Sequence, residues 1–299
     1  MDQTKQDVAS KQLRRVTYLS IAANILVLVP VKLLVGFLAG SLSLVADGVH
    51  SVSDMITDFA ALLGLHFGSK EPDSKHPYGH GKLETLSAAA IALGLLAGGL
   101  GMIYYAAHDI AQGNIKRPGN PVIAVAVLAI IIKEVIYRIT KAAALKYHCP
   151  AVLANAWHDR ADALSSVAVI IGFVTQRFGF DYGDQVAAVV VGVMVSLVGA
   201  GIFRDCLAEL TERAVDRSTL EHIENIIKAD GQVRQWHRLR TRAVGREIFI
   251  DLHILVDPNL NISEAHNISE HLETALHQQL TRPVNIIVHM EPDIPELRK

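Results

Sequence analysis

Apolar runs, each long enough to cross a lipid bilayer, recur along the first two thirds of this 299-residue chain and stop near residue 205. A hydrocarbon core of about 30 Å requires about 20 apolar residues in helical form. The first run is too long for a removable signal peptide and lacks a small-residue cleavage site. The pattern predicts an α-helical membrane protein with six transmembrane helices at roughly 16–38, 42–67, 86–108, 120–140, 150–176 and 184–204.

Basic residues in the loops predict the orientation, because Lys and Arg favour the cytoplasmic side. If the N-terminus is inside, ten basic residues face the cytoplasm and three face outward. We therefore expect a multi-pass protein of the cell (inner) membrane with both termini cytoplasmic. The ten are Lys5, Lys11, Arg14, Arg15, Lys70, Lys75, Lys82, Arg138, Lys141 and Lys146, and the three are Lys116, Arg117 and Arg177.

The chain changes character after Asp205, where charged residues become frequent and the apolar runs shorten to four to eight residues. Periodicity predicts helices at about 216–230 and 263–280 and strands at 236–244, 246–256 and 284–290. This α-β-β-α-β order favours a small two-layer, ferredoxin-like and metallochaperone-like domain. We expect a transport domain at 1–208 and a cytoplasmic domain at 209–299.

Several function classes are disfavoured by composition and by missing motifs. The formal net charge of −2 gives no indication of nucleic-acid binding. Cys149 and Cys206 both fall near the predicted inner face, where disulfides are rare. The chain contains no phosphate-binding G-x-x-x-x-G-K-[ST] loop and no H-E-x-x-H metalloprotease motif.

Two matching polar stretches interrupt the apolar runs. SLVADGVHSVSDM in the second run and NAWHDRAD in the fifth share the pattern polar-x-x-His-x-x-x-Asp, which pairs His50 with Asp54 and His158 with Asp162. Residues four apart share a helix face, so each pair presents one nitrogen and one oxygen ligand together.

The depth of the two pairs agrees. At about 1.5 Å per residue, His50 and Asp54 lie about 12 to 18 Å below the outer end of their span. His158 and Asp162 lie the same distance above the inner end of theirs. Both pairs thus reach the middle of the bilayer, where two His and two carboxylates form a tetrahedral N2O2 site suited to zinc.

Other polar residues in the apolar runs can equally well be interpreted as groups that form hydrogen bonds between helices. Charged groups at mid-membrane are costly and usually mark ion or proton pathways, which favours metal binding for the two matched pairs. Lys133 and Glu134 are interpreted as an internal ion pair or a helix-end device. The residues for which a helix-linking role is equally plausible are Asp47, Asp58, Asn155 and Asp159.

At these residues the sequence resembles the cation diffusion facilitators, a family of zinc-exporting proton antiporters. The resemblance rests on GSLSLVADGVHSVSD, HPYGHGKLE, NAWHDRADALSS and the terminal α-β-β-α-β pattern, in that order, and covers nearly the whole chain. It implies a homodimer in the lipid bilayer that alternates between inward-open and outward-open states. It also implies metal cations and protons as partners and no enzymatic activity.

The first ligand position of the second span bears on the substrate. Bacterial members similar to iron and zinc exporters carry Asp there, whereas this chain has His50, as zinc-type members do. Softer nitrogen ligands favour zinc over manganese or magnesium. Iron(II), cobalt and cadmium stay open as alternative substrates.

Two further metal sites follow from the resemblance. Asp73, His76 and His80 are spaced to gather around one ion in a short cytoplasmic loop, although a polar loop ordered by Pro77 and Gly79 would look the same. In the soluble domain the resemblance implies a binuclear zinc site with a structural or regulatory role. Its ligands would be His237, His253, His266, His289 and Glu291, the last standing where Asp is common.

Divalent metal efflux is thus the function expected, with zinc taken from the cytosol as protons leave His50 and His158. Two alternatives stay open besides a different metal. A membrane metalloenzyme is disfavoured because four protein ligands would leave no coordination position on the zinc for a catalytic water. A metal-binding scaffold without transport is disfavoured by the complete set of four ligands.

Overall fold

The computed structural model of the protein describes residues 2–38, 55–113, 120–180 and 182–298. The chain forms two compact units, one of residues Gln3–Leu207 and the other of Ala208–Lys299. Each is described by itself.

Helices are the only regular secondary structure in the described residues of the first unit, and each predicted span coincides with a helix wherever the structure describes it. The first span combines α1, a π-helical segment and α2, and the described part of the second span is α3. The helices are α1 (Asp2–Ala23), the π segment (Asn24–Leu28), α2 (Val29–Leu38), α3 (Met55–Gly68), α4 (Lys82–Gln112), α5 (Asn120–Lys146), α6 (Pro150–Arg177) and α7 (Gly183–Leu210).

Three of these helical stretches are long and apolar enough by themselves to cross a membrane: Val8–Val35, Lys82–Gln112 and Gln185–Leu210. Large apolar side chains also point outward from the unit, as Leu26, Phe37 and Leu197 do with about 70% of their surface exposed. An apolar exterior of this kind is typical of a surface that faces lipid rather than water.

Small residues let α4 and α7 pack closely. A methyl group on Gly99 would lie 2.7 Å from the carbonyl oxygen of Gly192, and one on Gly192 would lie 2.7 Å from the carbonyl oxygen of Gly99. Membrane helices associate through such small-residue contacts because lipid provides no hydrophobic driving force between them. Both cysteines of the chain are buried, in separate apolar clusters, and they are not joined in a disulfide.

The second unit has the predicted order of elements: α8 (Arg217–Ala229), β1 (Gln235–Val244), β2 (Glu247–Val256), α9 (Ile262–Gln279) and β3 (Val284–Pro292). Both helices start at a side-chain cap. Asp216 accepts a hydrogen bond from the Thr219 amide, and Asn261 and Glu264 form a capping box. Such caps satisfy amides that have no partner within the helix.

A three-stranded sheet of order β1-β2-β3 covers one side of the two helices, with β1 antiparallel and β3 parallel to β2. Along β2, the side chains of Ile248, Ile250, Leu252 and Ile254 enter the core together with Leu272 of α9. Because side chains alternate along a strand, the residues between them lie on the sheet face opposite the helices. His253 is one of these.

Candidate metal centres

A buried polar network links the helices of the membrane unit. The Asp58 carboxylate on α3 accepts hydrogen bonds from Asn155 at 2.7 Å and Asn24 at 3.2 Å. The Ser20 hydroxyl lies 3.3 Å from Asp58 and 3.1 Å from Asp159. Asn24 is the first residue of the π segment, a distortion that is common at functional sites. The helix-linking interpretation of Asp58, Asn155 and Asp159 therefore matches their contacts.

Lys133 of α5 brings a positive charge into this network. Its ammonium lies 2.7 Å from Asp159 Oδ1 and 2.9 Å from Asp162 Oδ2, and the residue is only 4% exposed. The interpretation of Lys133 and Glu134 as one internal ion pair is therefore wrong: Lys133 pairs with the two aspartates, and the Glu134 carboxylate accepts from Arg138 at 2.8 Å.

His158 and Asp162 lie on one face of α6, as their spacing predicts. His158 Nε2 is 3.9 Å from Asp162 Oδ2, and both side chains keep some exposure, 16% and 22%. One metal ion could contact both atoms, since zinc binds His nitrogen and carboxylate oxygen at about 2 Å. The other predicted pair, His50 and Asp54, lies outside the described residues.

The loop between α3 and α4 brings its three predicted ligands together. Asp73 Oδ1 is 3.3 Å from His76 Nδ1, and Asp73 Oδ2 is 3.5 Å from His80 Nε2. Ligand atoms of all three lie within 4.8 Å of one another. A single ion could therefore contact two imidazoles and one carboxylate here.

Local hydrogen bonds shape this loop. Asp73 Oδ1 accepts the backbone amides of Lys75 at 2.8 Å and His76 at 2.7 Å, and Gly79 adopts a left-handed φ of 79°. The two amides, first that of His76, lower the pKa of the Asp73 carboxyl. The carboxylate is therefore charged at neutral pH, as a metal ligand must be.

Three histidines form a row across the sheet of the second unit. His237 of β1 is paired with His253 of β2, and His253 with His289 of β3. Neighbouring ring centroids lie 5.2 Å and 4.5 Å apart. The row occupies the face opposite the helices, so the rings face away from the apolar core.

An irregularity in β1 places His237 in that row. Pairing runs from His237 opposite His253 to Arg240 opposite Asp251, so that two residues of β1 oppose one residue of β2. Arg238, inside this bulge, has a φ of 52°. A bulge reverses the alternation of side chains, and His237 therefore shares a face with His253 while Leu239 packs into the core.

The Glu291 carboxylate lies at the centre of the three rings. His253 Nδ1 is 2.8 Å from Oε1, His289 Nε2 is 3.5 Å from the same atom, and His237 Nε2 is 3.3 Å from Oε2. The hydrogen bond from His253 is the main cause that lowers the pKa of Glu291, and the nearby His237 contributes. Ligand atoms of His237, His253 and Glu291 all lie within 4.8 Å of one another.

His266, the remaining predicted ligand, is not brought to this cluster within the chain. It lies on α9, on the other side of the sheet, where it is 61% exposed and its Nε2 is 3.5 Å from Glu270. Within one described chain the cluster therefore contains four of the five predicted residues.

Sequence reasoning missed the contact between Lys133 and Asp162. The available signal was a lysine in the middle of an apolar run, which requires a buried counter-charge. What the sequence could not supply was the rotation of α5 relative to α6, which decides which carboxylate the ammonium meets.

Comparison with known families assigns both units. The family model of the cation efflux transmembrane domain matches residues 17–211, and that of the cation efflux protein cytoplasmic domain matches residues 215–293. The chain is a cation diffusion facilitator. It is therefore a divalent metal cation efflux transporter of the membrane, as the motifs predicted, and its family is one of transporters rather than enzymes.

Relatives match this facilitator over most of its length, and one of the three described here is named for manganese. An uncharacterized transporter of Methanocaldococcus jannaschii is 33% identical over 94% of this chain and 99% of its own. Metal tolerance protein C1 of Arabidopsis thaliana is 34% identical over 87% of this chain and 59% of its own. The manganese efflux system protein MneS of Bacillus subtilis is 30% identical over 91% of this chain and 93% of its own.

Among solved structures, a zinc form of CzrB is similar over 29% of this facilitator and 96% of that chain, with 27% identity and a TM-score of 0.27. A cadmium form of the MamM C-terminal domain is similar over 26% of this facilitator and 98% of that chain, with 27% identity and a TM-score of 0.25.

Proposed function

We propose that this cation diffusion facilitator exports zinc from the cytoplasm in exchange for protons, by alternating access. The observation that supports the proposal most is the His158–Asp162 pair near the middle of α6, with its ligand atoms 3.9 Å apart. The matched spacing of His50 and Asp54 supplies a second nitrogen and a second oxygen. Imidazole nitrogen ligands favour zinc over manganese.

Protons are the counter-substrate because imidazoles must lose a proton before they bind a metal. In the inward-open state, zinc from the cytosol displaces protons from His50 and His158. In the outward-open state, protons compete for the same nitrogens and the metal leaves. Asp54 and Asp162 balance the charge of the ion. The proton gradient drives the exchange, so the proposed cycle requires no ATP.

The remaining clusters are proposed as cytoplasmic metal sites that respond to the metal supply. Asp73, His76 and His80 form the loop site. The sheet row around Glu291 forms the other site, and His266 would complete it only from a second copy. The donor set of imidazoles and carboxylates fits zinc.

Residues 1–208 are proposed as the transport domain and 209–299 as the metal-binding dimerisation domain of a homodimer. The family model that matches residues 215–293 is named for a dimer. We also propose that the protein lies in the inner membrane with both termini in the cytoplasm, a proposal supported by the ten-to-three distribution of basic residues.

Manganese is the strongest competing substrate, because MneS, a relative at 30% identity, is named for manganese efflux. The two proposals are separated by measuring flux of zinc, iron(II), cadmium, cobalt and manganese in parallel, in proteoliposomes that contain the full chain and carry a pH gradient. Zinc flux driven by the gradient supports our proposal. Faster flux of manganese than of zinc would show that manganese is the substrate. Zinc binding without flux of any metal would favour a metal-binding scaffold.

The same assay tests the transport site. Asp162→Ala should abolish zinc flux, because it removes one of four proposed ligands and its charge. Asp205→Ala, at an exposed carboxylate near the end of α7, is the matched control and should keep normal flux. Normal flux in the Asp162 variant would disprove the assignment of the site.

A further inference from the structure

Lys133 lies at the middle of α5 and is almost fully buried. It is thirteen residues from either end of α5, which is about 20 Å at 1.5 Å per residue. Its ammonium touches two carboxylates at once, Asp159 at 2.7 Å and Asp162 at 2.9 Å. An ammonium at this depth is costly unless it is paired, so both contacts are substantial.

The two carboxylates differ in how firmly they are held. Asp159 is 1% exposed and also has the Ser20 hydroxyl at 3.1 Å. The side chain of Asp162 is 22% exposed and has His158 as its neighbour at 3.9 Å. Lys133 therefore joins a buried carboxylate that belongs to the helix-linking network to an accessible carboxylate that belongs to the proposed transport site.

The ammonium contacts Asp162 Oδ2, which is also the oxygen nearest to His158 Nε2. A metal ion bound between His158 and Asp162 would need that same oxygen. Two cations held by one carboxylate oxygen repel each other strongly in a medium of low dielectric constant.

We propose that Lys133 is a tethered cation that competes with the transported metal for Asp162. It exchanges places with the metal on the Asp162 carboxylate and keeps its contact with Asp159 throughout. The inference rests on the proposed role of Asp162 as a transport ligand. It adds a residue that sets the affinity of the site without binding the metal.

The arrangement suits a transporter, which must release its cargo as well as bind it. Because the ammonium remains paired with Asp159, the arrival of a metal leaves no buried ammonium without a counter-charge. As the metal departs, the ammonium returns to Asp162 and neutralises it. The competition lowers the affinity for the metal and so favours release.

Zinc titration of the full chain in lipid nanodiscs tests the proposal. His76→Ala, His80→Ala, His237→Ala and His253→Ala are introduced into every sample, so that the other proposed sites do not contribute. In this background Lys133→Met should bind zinc at least tenfold more tightly, because the competitor is gone. Lys133→Arg, which keeps the positive charge, should stay close to the parent.

Lys141→Met is the matched control, with the same substitution two turns along the same helix. Lys141 donates to the Tyr137 hydroxyl at 2.9 Å and should not affect zinc affinity. Because Lys133→Met leaves a buried carboxylate without its cation, the double variant Lys133→Met/Asp159→Asn is measured as well. It removes one charge of each sign, should fold normally, and should also bind zinc more tightly.

Asp162→Asn separates this inference from the proposed function. If that variant loses zinc binding while both Lys133→Met variants bind zinc as the parent does or more weakly, the competition is disproved and the transport site stands. If Asp162→Asn binds zinc normally, the proposed site fails and the competition fails with it. A purely structural role for Lys133 would not tighten the binding of zinc.

Discussion

Glu291 shows how one carboxylate can hold several imidazoles in the arrangement that we propose as a metal site. Three histidine nitrogens lie within 3.5 Å of its two oxygens. The pKa of Glu291 is lowered, mainly by the hydrogen bond from His253, so the carboxylate stays ionised through the mildly acidic range. The pH dependence of metal binding at this cluster should therefore come from the imidazoles.

The lowered pKa of Glu291 predicts a pH-dependent contribution to the stability of the soluble unit. A carboxyl group whose pKa is lowered by folding stabilises the protein above its unfolded pKa, here 4.5, and this contribution disappears as the pH falls through the lower folded value. Without metal, Glu291→Gln should lower the unfolding midpoint at about pH 6 and have a smaller effect at a pH well below 4.5. An equal effect at both would contradict the contribution of the charge.

Fluorescence of Trp236, next to His237, can follow this unfolding. The chain has two tryptophans, so Trp157→Phe in the membrane unit leaves Trp236 as the only reporter. Glu296→Gln is a control at another carboxylate of the same unit, one with no contact to the histidine row among the described interactions.

His50 is the residue at which the choice of metal can be tested most directly. Its replacement by Asp would give the proposed transport site a third carboxylate and only one imidazole, which favours harder ions. We expect His50→Asp to retain zinc flux while the ratio of zinc to manganese flux falls. An unchanged ratio in the five-metal assay would show that His50 does not contact the metal. Thr57→Ser, in the same predicted span, is a conservative control.

At the scale of single elements, the bulge in β1 decides whether the histidine row can form. Arg238 has a φ of 52°, a region that costs non-glycine residues roughly 1–2 kcal/mol. Arg238→Gly should thus raise the free energy of unfolding of the soluble unit by up to about 1 kcal/mol, and metal binding should persist.

Arg238→Val is the opposing variant, because a β-branched side chain is a strong outlier at positive φ. It should destabilise the unit and weaken metal binding at His237. Denaturant unfolding and metal titration of both variants decide the matter. Equal stability of the Gly and Val variants would mean that the positive φ imposes no strain.

The elements themselves were largely predictable from the sequence. The predicted strand 236–244 is β1 (Gln235–Val244), and the predicted helix 263–280 is α9 (Ile262–Gln279). Both follow from periodicity and from cap residues such as Asn261, which act locally. The spacing of Asp73, His76 and His80 likewise predicted a cluster, since a short loop leaves few ways to separate them.

Contacts between elements were not predictable in the same way. The bulge at Arg238 depends on how β1 pairs with β2, and no local signal in QWHRLRTRAV marks it. The partner of Lys133 depends on how α5 is rotated against α6. In both cases a one-residue shift would bring a different side chain to the site, so only the packed structure identifies the contact.

At the scale of the whole molecule, two units with separate cores carry different parts of the proposed cycle. Transport is assigned to the helical unit and metal sensing to the soluble one. Each function should therefore be removable while the other remains. Sites in separate, independently packed units usually respond additively to substitution unless they share a two-state element.

We predict that the double variant His237→Ala/His253→Ala retains zinc flux at saturating zinc and requires more cytosolic zinc to reach half of it. The reason is that the variant removes two of the sensing ligands and leaves Asp162 and His158 intact. Conversely, Asp162→Ala should abolish flux while the soluble unit still binds zinc. His271→Ala, at an exposed histidine paired with Asp230 at 3.1 Å, is the control and should leave the zinc dependence unchanged.

Flux measured across a range of zinc concentrations distinguishes the outcomes. A double variant with the zinc dependence of the parent would show that the histidine row does not regulate transport. Loss of flux even at saturating zinc would show that the row is required for the transport cycle itself.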